Sequence, residues 1–201
     1  MGQRSALHAR MGTIYRRRAL SRRLSDPRAI AARAWQLIAK KSYCLVVTSG
    51  EEGPSARVVA PLRPRPGGEI WLGTDPRSRK VEQITRTGRC LLVYEDDRRR
   101  ACVTLECDAR IADPTERARF PGFWRAFWPD GPGPDFVNIV CTPTAMEVWD
   151  GLAVIAPEPF GRRTARLERV PGAPWRQVES RAAGHPGARS AAGDVLGAGD
   201  L

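Results

Sequence analysis

Residues 74–83 read TDPRSRKVEQ and set three cations, Arg77, Arg79 and Lys80, within four positions. An apolar run, EIWLGT, leads into them, and a helical pattern follows. DPRSRKVEQITRTG predicts a helix that Asp75 can cap, Pro76 can open and Gly88 can end, with Val81 and Ile84 facing inward. A helix start leaves N–H groups unpaired and carries the positive end of the dipole. Cations there cost ~0.3–1 kcal/mol each unless an anion sits among them. The chemistry this pattern could do is therefore the holding of a phosphate. The plainer account is solvated surface charge in an arginine-rich chain. Only three of the 33 basic residues are lysines, so a lysine inside the cluster departs from that trend. On the residues alone, both accounts stay open.

Other chemistry is harder to place. Both histidines, His8 and His185, fall in the terminal segments, which argues against a His-dependent triad or a His-ligated metal in the folded part. The five cysteines, Cys44, Cys90, Cys102, Cys107 and Cys141, sit in apolar or strand-like runs without a CxxC pair. Cys102 and Cys107 are five apart, which puts them on opposite faces of a strand. All five read as small core hydrophobes, and no metal site is expected. An odd count without a secretion signal suggests a reducing, cytoplasmic setting. No stretch approaches the roughly 20 apolar residues of a membrane span. No side chain offers itself as a general acid or base, so the catalytic group is unknown.

The elements that must position the cations follow from the patterning. SDPRAIAARAWQLIAKK predicts a helix over 27–40, capped by Ser25 or Asp26, with Lys40 and Lys41 as C-terminal cations. SYCLVVTS and SARVVAPL, joined by GEEG, read as a β-hairpin, and EIWLGT as a third strand. RCLLVYED is a fourth. ACVTLECDARI alternates over eleven residues and marks a sheet with one buried and one wetter face. Residues 113–135 read as a helical excursion with Phe120, Phe123, Trp124, Phe127 and Trp128 on one stripe, suited to core or a subunit contact. FVNIVCTPTAMEVWDG is strand, a proline break and more strand, and strand resumes weakly at RTARLERV and WRQV. About six mainly antiparallel strands with two or three inserted helices fit a mainly β barrel.

Charge is concentrated at one end. Residues 1–25 carry seven arginines and no acid, so much of the formal +11 belongs to that segment and not to the fold. Arginine repulsion there, and the Ala/Gly-rich composition of 179–201, predict disordered tails around a domain at 26–178. Nucleic-acid binding through the basic segment ranks last, since no base-reading element follows it.

Taken in order, these pieces resemble the pyridoxamine 5′-phosphate oxidase-like FMN-binding family, closest to its general stress protein branch. SARVVAPL looks like the family's arginine-bearing second strand, and GTDPRSRKVEQI its phosphate turn. FWRAFWPDGPGPD is similar to the stress-protein insertion, and PTAMEVWDG to the terminal strand. The resemblance spans roughly residues 28–151. It implies a six-stranded antiparallel split β-barrel (Greek-key) with two or three inserted α-helices. It implies that Ser78, Arg79 and Lys80 bind the FMN phosphate with Arg57. Val58, Val59 and Ala60 would offer backbone to the ring, Gly73 and Thr74 would close the pocket floor, and Trp149 would lie near the isoalloxazine.

The same resemblance implies a homodimer with flavin at the interface, where Trp149 serves the partner's flavin. The family's oxidases follow their last motif with Arg-Leu-His-Asp-Arg. Here VWDGLAVIAPEPF follows, without histidine, so vitamin B6 oxidation is not expected. The expected function is a flavin-dependent oxidoreductase acting on a small-molecule substrate or electron donor. The rivals are a non-catalytic flavin-binding stress protein and a split barrel using deazaflavin or haem.

Overall fold

Alternating apolar residues build one curled antiparallel sheet. The computed structural model describes residues 2–21, 23–64, 68–113, 115–116, 119–151, 155, 164–170 and 172–178. Three helices and eight strands run in the order α1 (Gly2–Leu20), α2 (Pro27–Ile38), β1 (Cys44–Gly50), β2 (Gly53–Val59), β3 (Ile70–Thr74), α3 (Arg79–Thr87), β4 (Arg89–Asp96), β5 (Ala101–Ile111), β6 (Val137–Asp150), β7 (Ala165–Glu168) and β8 (Arg176–Val178). The strands neighbour one another as β2-β1-β4-β5-β6-β7-β8, and β3 pairs with β6.

Period-2 alternation sorts the two faces. Val46, Leu92, Leu105, Met146 and Leu167 oppose one another across five strands and are fully buried. Each contributes on the order of 1.5–3 kcal/mol of hydrophobic stabilisation. One step along, the row Val58, Leu45, Val93, Thr104, Glu147 and Arg166 faces outward. The sheet curls without closing. Consecutive strands β2 and β3 do not ladder, and Leu62 N–H to Trp71 O, at 2.8 Å, joins the segments instead. The architecture is mainly β and consistent with a split barrel.

Four expectations change. The described residues form eight strands where about six were counted, the weak candidates at RTARLERV and WRQV forming the short β7 and β8. The basic N-terminal segment, expected to be disordered, carries α1; Ala, Leu, Met, Gln and Arg favour helix, and their propensity outweighs the charge repulsion. Its Tyr15 hydroxyl donates to the Gly151 carbonyl. The aromatic excursion forms only a 3-10 turn, Gly122–Ala126, between Pro121 and Pro129. β6 runs straight through Pro143, because an extra residue on β6 between Pro143 and Ala145 bulges opposite Glu106 and Cys107 and absorbs the missing donor. Residues 179–201 lie outside the described residues.

Sequence dictates the placement of α2 as well. Asp26 accepts from Ala29 N–H at 2.9 Å, Pro27 opens the helix, and Ile30, Ala34, Leu37 and Ile38 bury against the sheet. Arg33 then donates to the buried Asp150 through Nε at 2.8 Å and Nη2 at 2.6 Å. Asp150→Ala is expected to destabilise the protein by ~2–4 kcal/mol, because it strips a half-buried guanidinium of that acceptor. Urea unfolding tests this as a lower midpoint at unchanged slope.

Candidate functional site: a cationic cluster at the start of α3

The residues of the charged stretch take separate roles. Arg77 pairs with Asp75 through Nε at 3.0 Å and Nη2 at 2.7 Å, and its amide donates to Asp75 Oδ1 at 2.8 Å. Asp75 and Pro76 thus form a tight turn, and α3 begins later than expected, at Arg79, with Ser78 in the N-cap position. The Ser78 side chain makes no capping hydrogen bond; its hydroxyl lies 3.3 Å from that of buried Thr74. Among the described residues, no carbonyl accepts from the amides of Arg79 and Lys80. Two N–H donors therefore stand open at the positive end of α3.

Arg57 approaches the same helix from β2. Its Nη1 donates to Thr48 Oγ1 at 2.5 Å and to Ser55 O at 3.1 Å, and its Nη2 donates to Gln83 Oε1 at 2.9 Å. Thr48 Oγ1 in turn donates to Gln83 Oε1 at 2.5 Å. β1, β2 and α3 are tied together at one point. Gly50 permits this approach, since a Cβ there would lie 2.4 Å from Gln83 Nε2.

The electrostatics of the cluster are unbalanced. Burial lowers the pKa of Arg57, and the charge of Arg79 lowers it further. Burial also lowers the pKa of Lys80, Arg57 adds to the shift, and Asp75 opposes it. Asp75 offsets the group only in part, because Arg77 engages it in a two-point pair and holds its pKa at about 2. On the same inward face of β2 as Arg57, the Ser55 hydroxyl is buried without a hydrogen-bond partner among the described residues. Three cations, with Arg57 repelling both Arg79 and Lys80, two open amides and an orphaned hydroxyl fit a phosphate group.

The remaining expected residues fall into three places. Val58 is 67% exposed on the outward face, while Val59 and Ala60 continue an edge strand laddered only to β1. Gly73 is covered by the insertion: a Cβ there would lie 2.7 Å from Trp124 and 2.8 Å from Phe136. Its bare backbone admits the cluster of Phe120, Trp124, Trp128 and Phe136, whose ring centroids lie 5.1–6.4 Å apart. Trp149 stands at the far end of β6 from Val137, the partner of Thr74. One chain brings Arg57, Ser78, Arg79 and Lys80 together and leaves its own Trp149 apart.

Thr48, Ser55 and Gln83 were missed by the sequence reading. Thr48 did carry a signal, as the polar residue on the buried side of the Cys44–Val46–Thr48 alternation. Gln83 carried a weaker one, three residues beyond Lys80 on the same helix face.

No protein-family model matches the sequence, and no curated protein matches it. Solved structures are similar in fold. A Clostridium acetobutylicum protein, described as related to general stress protein 26 and of the pyridoxinephosphate oxidase family, shares 19% identity. The match covers 70% of this chain and 94% of that one at a TM-score of 0.57. A pyridoxamine 5′-phosphate oxidase-related, FMN-binding protein from Nostoc punctiforme shares 15% identity over 78% of this chain and 99% of its own, at a TM-score of 0.51. A haem-binding protein from Mycobacterium smegmatis shares 17% over 69% and 57%, at 0.50. The chain has the fold of the pyridoxamine 5′-phosphate oxidase-like and general stress protein 26 structures.

The lowered pKa of Lys80 has a testable sign. Between its folded value and the ordinary 10.5, the unfolded chain binds more protons, so stability rises with pH across that window. Below the window the full penalty of the charged lysine is present. Lys80→Met is therefore expected to raise the melting temperature of the ligand-free protein at pH 7, with the gain shrinking as pH approaches 10.5. Thermal melts across pH check this; a variant melting lower at pH 7 would show an unstrained lysine.

Proposed function

We propose that this protein binds FMN by its phosphate at the start of α3 and works as a flavin-dependent oxidoreductase other than a vitamin B6 oxidase. One observation carries the reading: Arg57, Arg79 and Lys80 gather at a helix start, and among the described residues none of them forms an ion pair with a carboxylate. Similarity in fold to a structure described as FMN-binding supports it. The flavin would supply hydride or electron transfer when bound. The chain's own residues do the holding. Lys80 and Arg79 neutralise the phosphate, the open amides and the Ser78 hydroxyl donate to its oxygens, and Arg57 reaches it from β2. The free edge of β2 at Val58, Val59 and Ala60 offers backbone groups alongside the ring, and Thr74 lies beneath Ser78.

The flavin sits, in this proposal, at a homodimer interface. Leu45, Val58 and Trp149 are exposed large apolar residues on the same outward face, an area that a second copy would cover. The distance of Trp149 from its own chain's cations fits a role beside the partner's flavin. Five free cysteines, four of them buried, fit a reducing, cytoplasmic setting. Among the described residues no helix is long and apolar enough to cross a membrane.

Haem is the second reading, favoured by fold similarity to the M. smegmatis haem-binding protein. The cationic cluster suits a terminal phosphate better than a macrocycle, and both histidines of the chain lie in its terminal segments. The absorbance spectrum of the purified protein separates flavin, deazaflavin and haem. Arg79→Ala and Lys80→Ala are each expected to weaken FMN binding by ~1.5–3 kcal/mol, the worth of a hydrogen bond to a charged group. Fluorescence titration of the apoprotein measures this, and unchanged affinity in both variants removes the phosphate assignment. Reduction of the bound flavin by NAD(P)H, followed by reoxidation with an acceptor, distinguishes an enzyme from a carrier.

A further inference from the structure

We propose that Gln83 and Thr48 are positioning residues that aim the guanidinium of Arg57 at the phosphate; the inference rests on the flavin reading above. An arginine has five N–H donors in a planar fork. Both hydrogens of Arg57 Nη1 are committed, to Thr48 Oγ1 at 2.5 Å and Ser55 O at 3.1 Å, and one hydrogen of Nη2 goes to Gln83 Oε1 at 2.9 Å. The Thr48 hydroxyl spends its own hydrogen on the same Gln83 oxygen at 2.5 Å, closing a ring of three side chains. What remains is Nε–H and the second Nη2–H. Among the described residues neither meets an acceptor, and Arg57 has no carboxylate partner. Those two parallel donors form the edge that pairs with two oxygens of one phosphate.

The aim is set by α3 itself. Gln83 lies one turn beyond Lys80, so the orientation of Arg57 is referenced to the helix whose open amides would hold the same phosphate. Gly50 leaves room for the Gln83 amide against β1, where a Cβ would lie 2.4 Å from Gln83 Nε2. Neither Gln83 nor Thr48 needs to touch the ligand. Each offsets the repulsion from Arg79 that would otherwise swing Arg57 toward solvent.

FMN and riboflavin, which lacks the phosphate, separate a positioning role from a structural one. Gln83→Met and Thr48→Val are each expected to weaken FMN about 5–10-fold, near the worth of one or two hydrogen bonds, and to leave riboflavin unchanged. Thr48→Ser, which keeps the hydroxyl, should restore FMN affinity. In an Arg57→Ala background, Gln83→Met should have no further effect, since its target is gone. Unchanged FMN affinity in both variants, or equal loss for both flavins, overturns the inference while leaving FMN binding intact. Wild-type protein that binds neither flavin overturns the flavin reading and this inference together.

Discussion

The structure depends on holding like charges together. Arg57 repels both Arg79 and Lys80, and a free chain would let them drift apart into water. Three restraints prevent this. The β1–β2 ladder fixes where Arg57 leaves the backbone, α3 packs on β1 and fixes where Arg79 and Lys80 leave theirs, and Gln83 with Thr48 joins the two. Such an arrangement is expected to lower the stability of the ligand-free fold. A chain under no functional demand would more simply place an acid in the cluster. Asp75 is near enough to have served, yet it is turned into a pair with Arg77.

A rigid frame makes that strain tolerable. The buried row from Val46 to Leu167 crosses five strands without a polar interruption, and α2 closes over it through the Arg33–Asp150 pair. Packed interiors do not deform continuously, so local repulsion at the rim cannot relax by bending the sheet. The covering of Gly73 follows the same logic. Trp124 and Phe136 lie so close to its backbone that the insertion is fixed to β3 directly before the cationic turn.

Periodicity made most of this legible in advance. The hairpin of β1 and β2, the long alternation of β5 and the Gly88 end of α3 follow from patterns that act over a few residues. The cationic turn was legible too, because charge at a helix start breaks a local rule. What stayed hidden depends on contacts between distant positions. Thr48 and Gln83 are 35 residues apart, and neither carries a charge that marks it. The start of α3 was misplaced because Asp75 can cap a helix or close a turn, and only its pairing with Arg77 decides which. In α1, the competition between propensity and repulsion has no sign that composition alone can give.

Separation along the chain also bears on what the site can become. The cationic groups gather at α3 and the inward face of β2, whereas Val58, Leu45 and Trp149 lie on the outward face. The cationic cluster and the exposed apolar residues therefore sit on opposite sides of one sheet. If a second copy covers the outward face, residues there can change without disturbing the anchor, because no hydrogen bond of the Arg57–Thr48–Gln83 ring reaches them. An outward-face substitution alters the exposed apolar area, and an inward one alters the cationic cluster. That division leaves the two faces free to change independently.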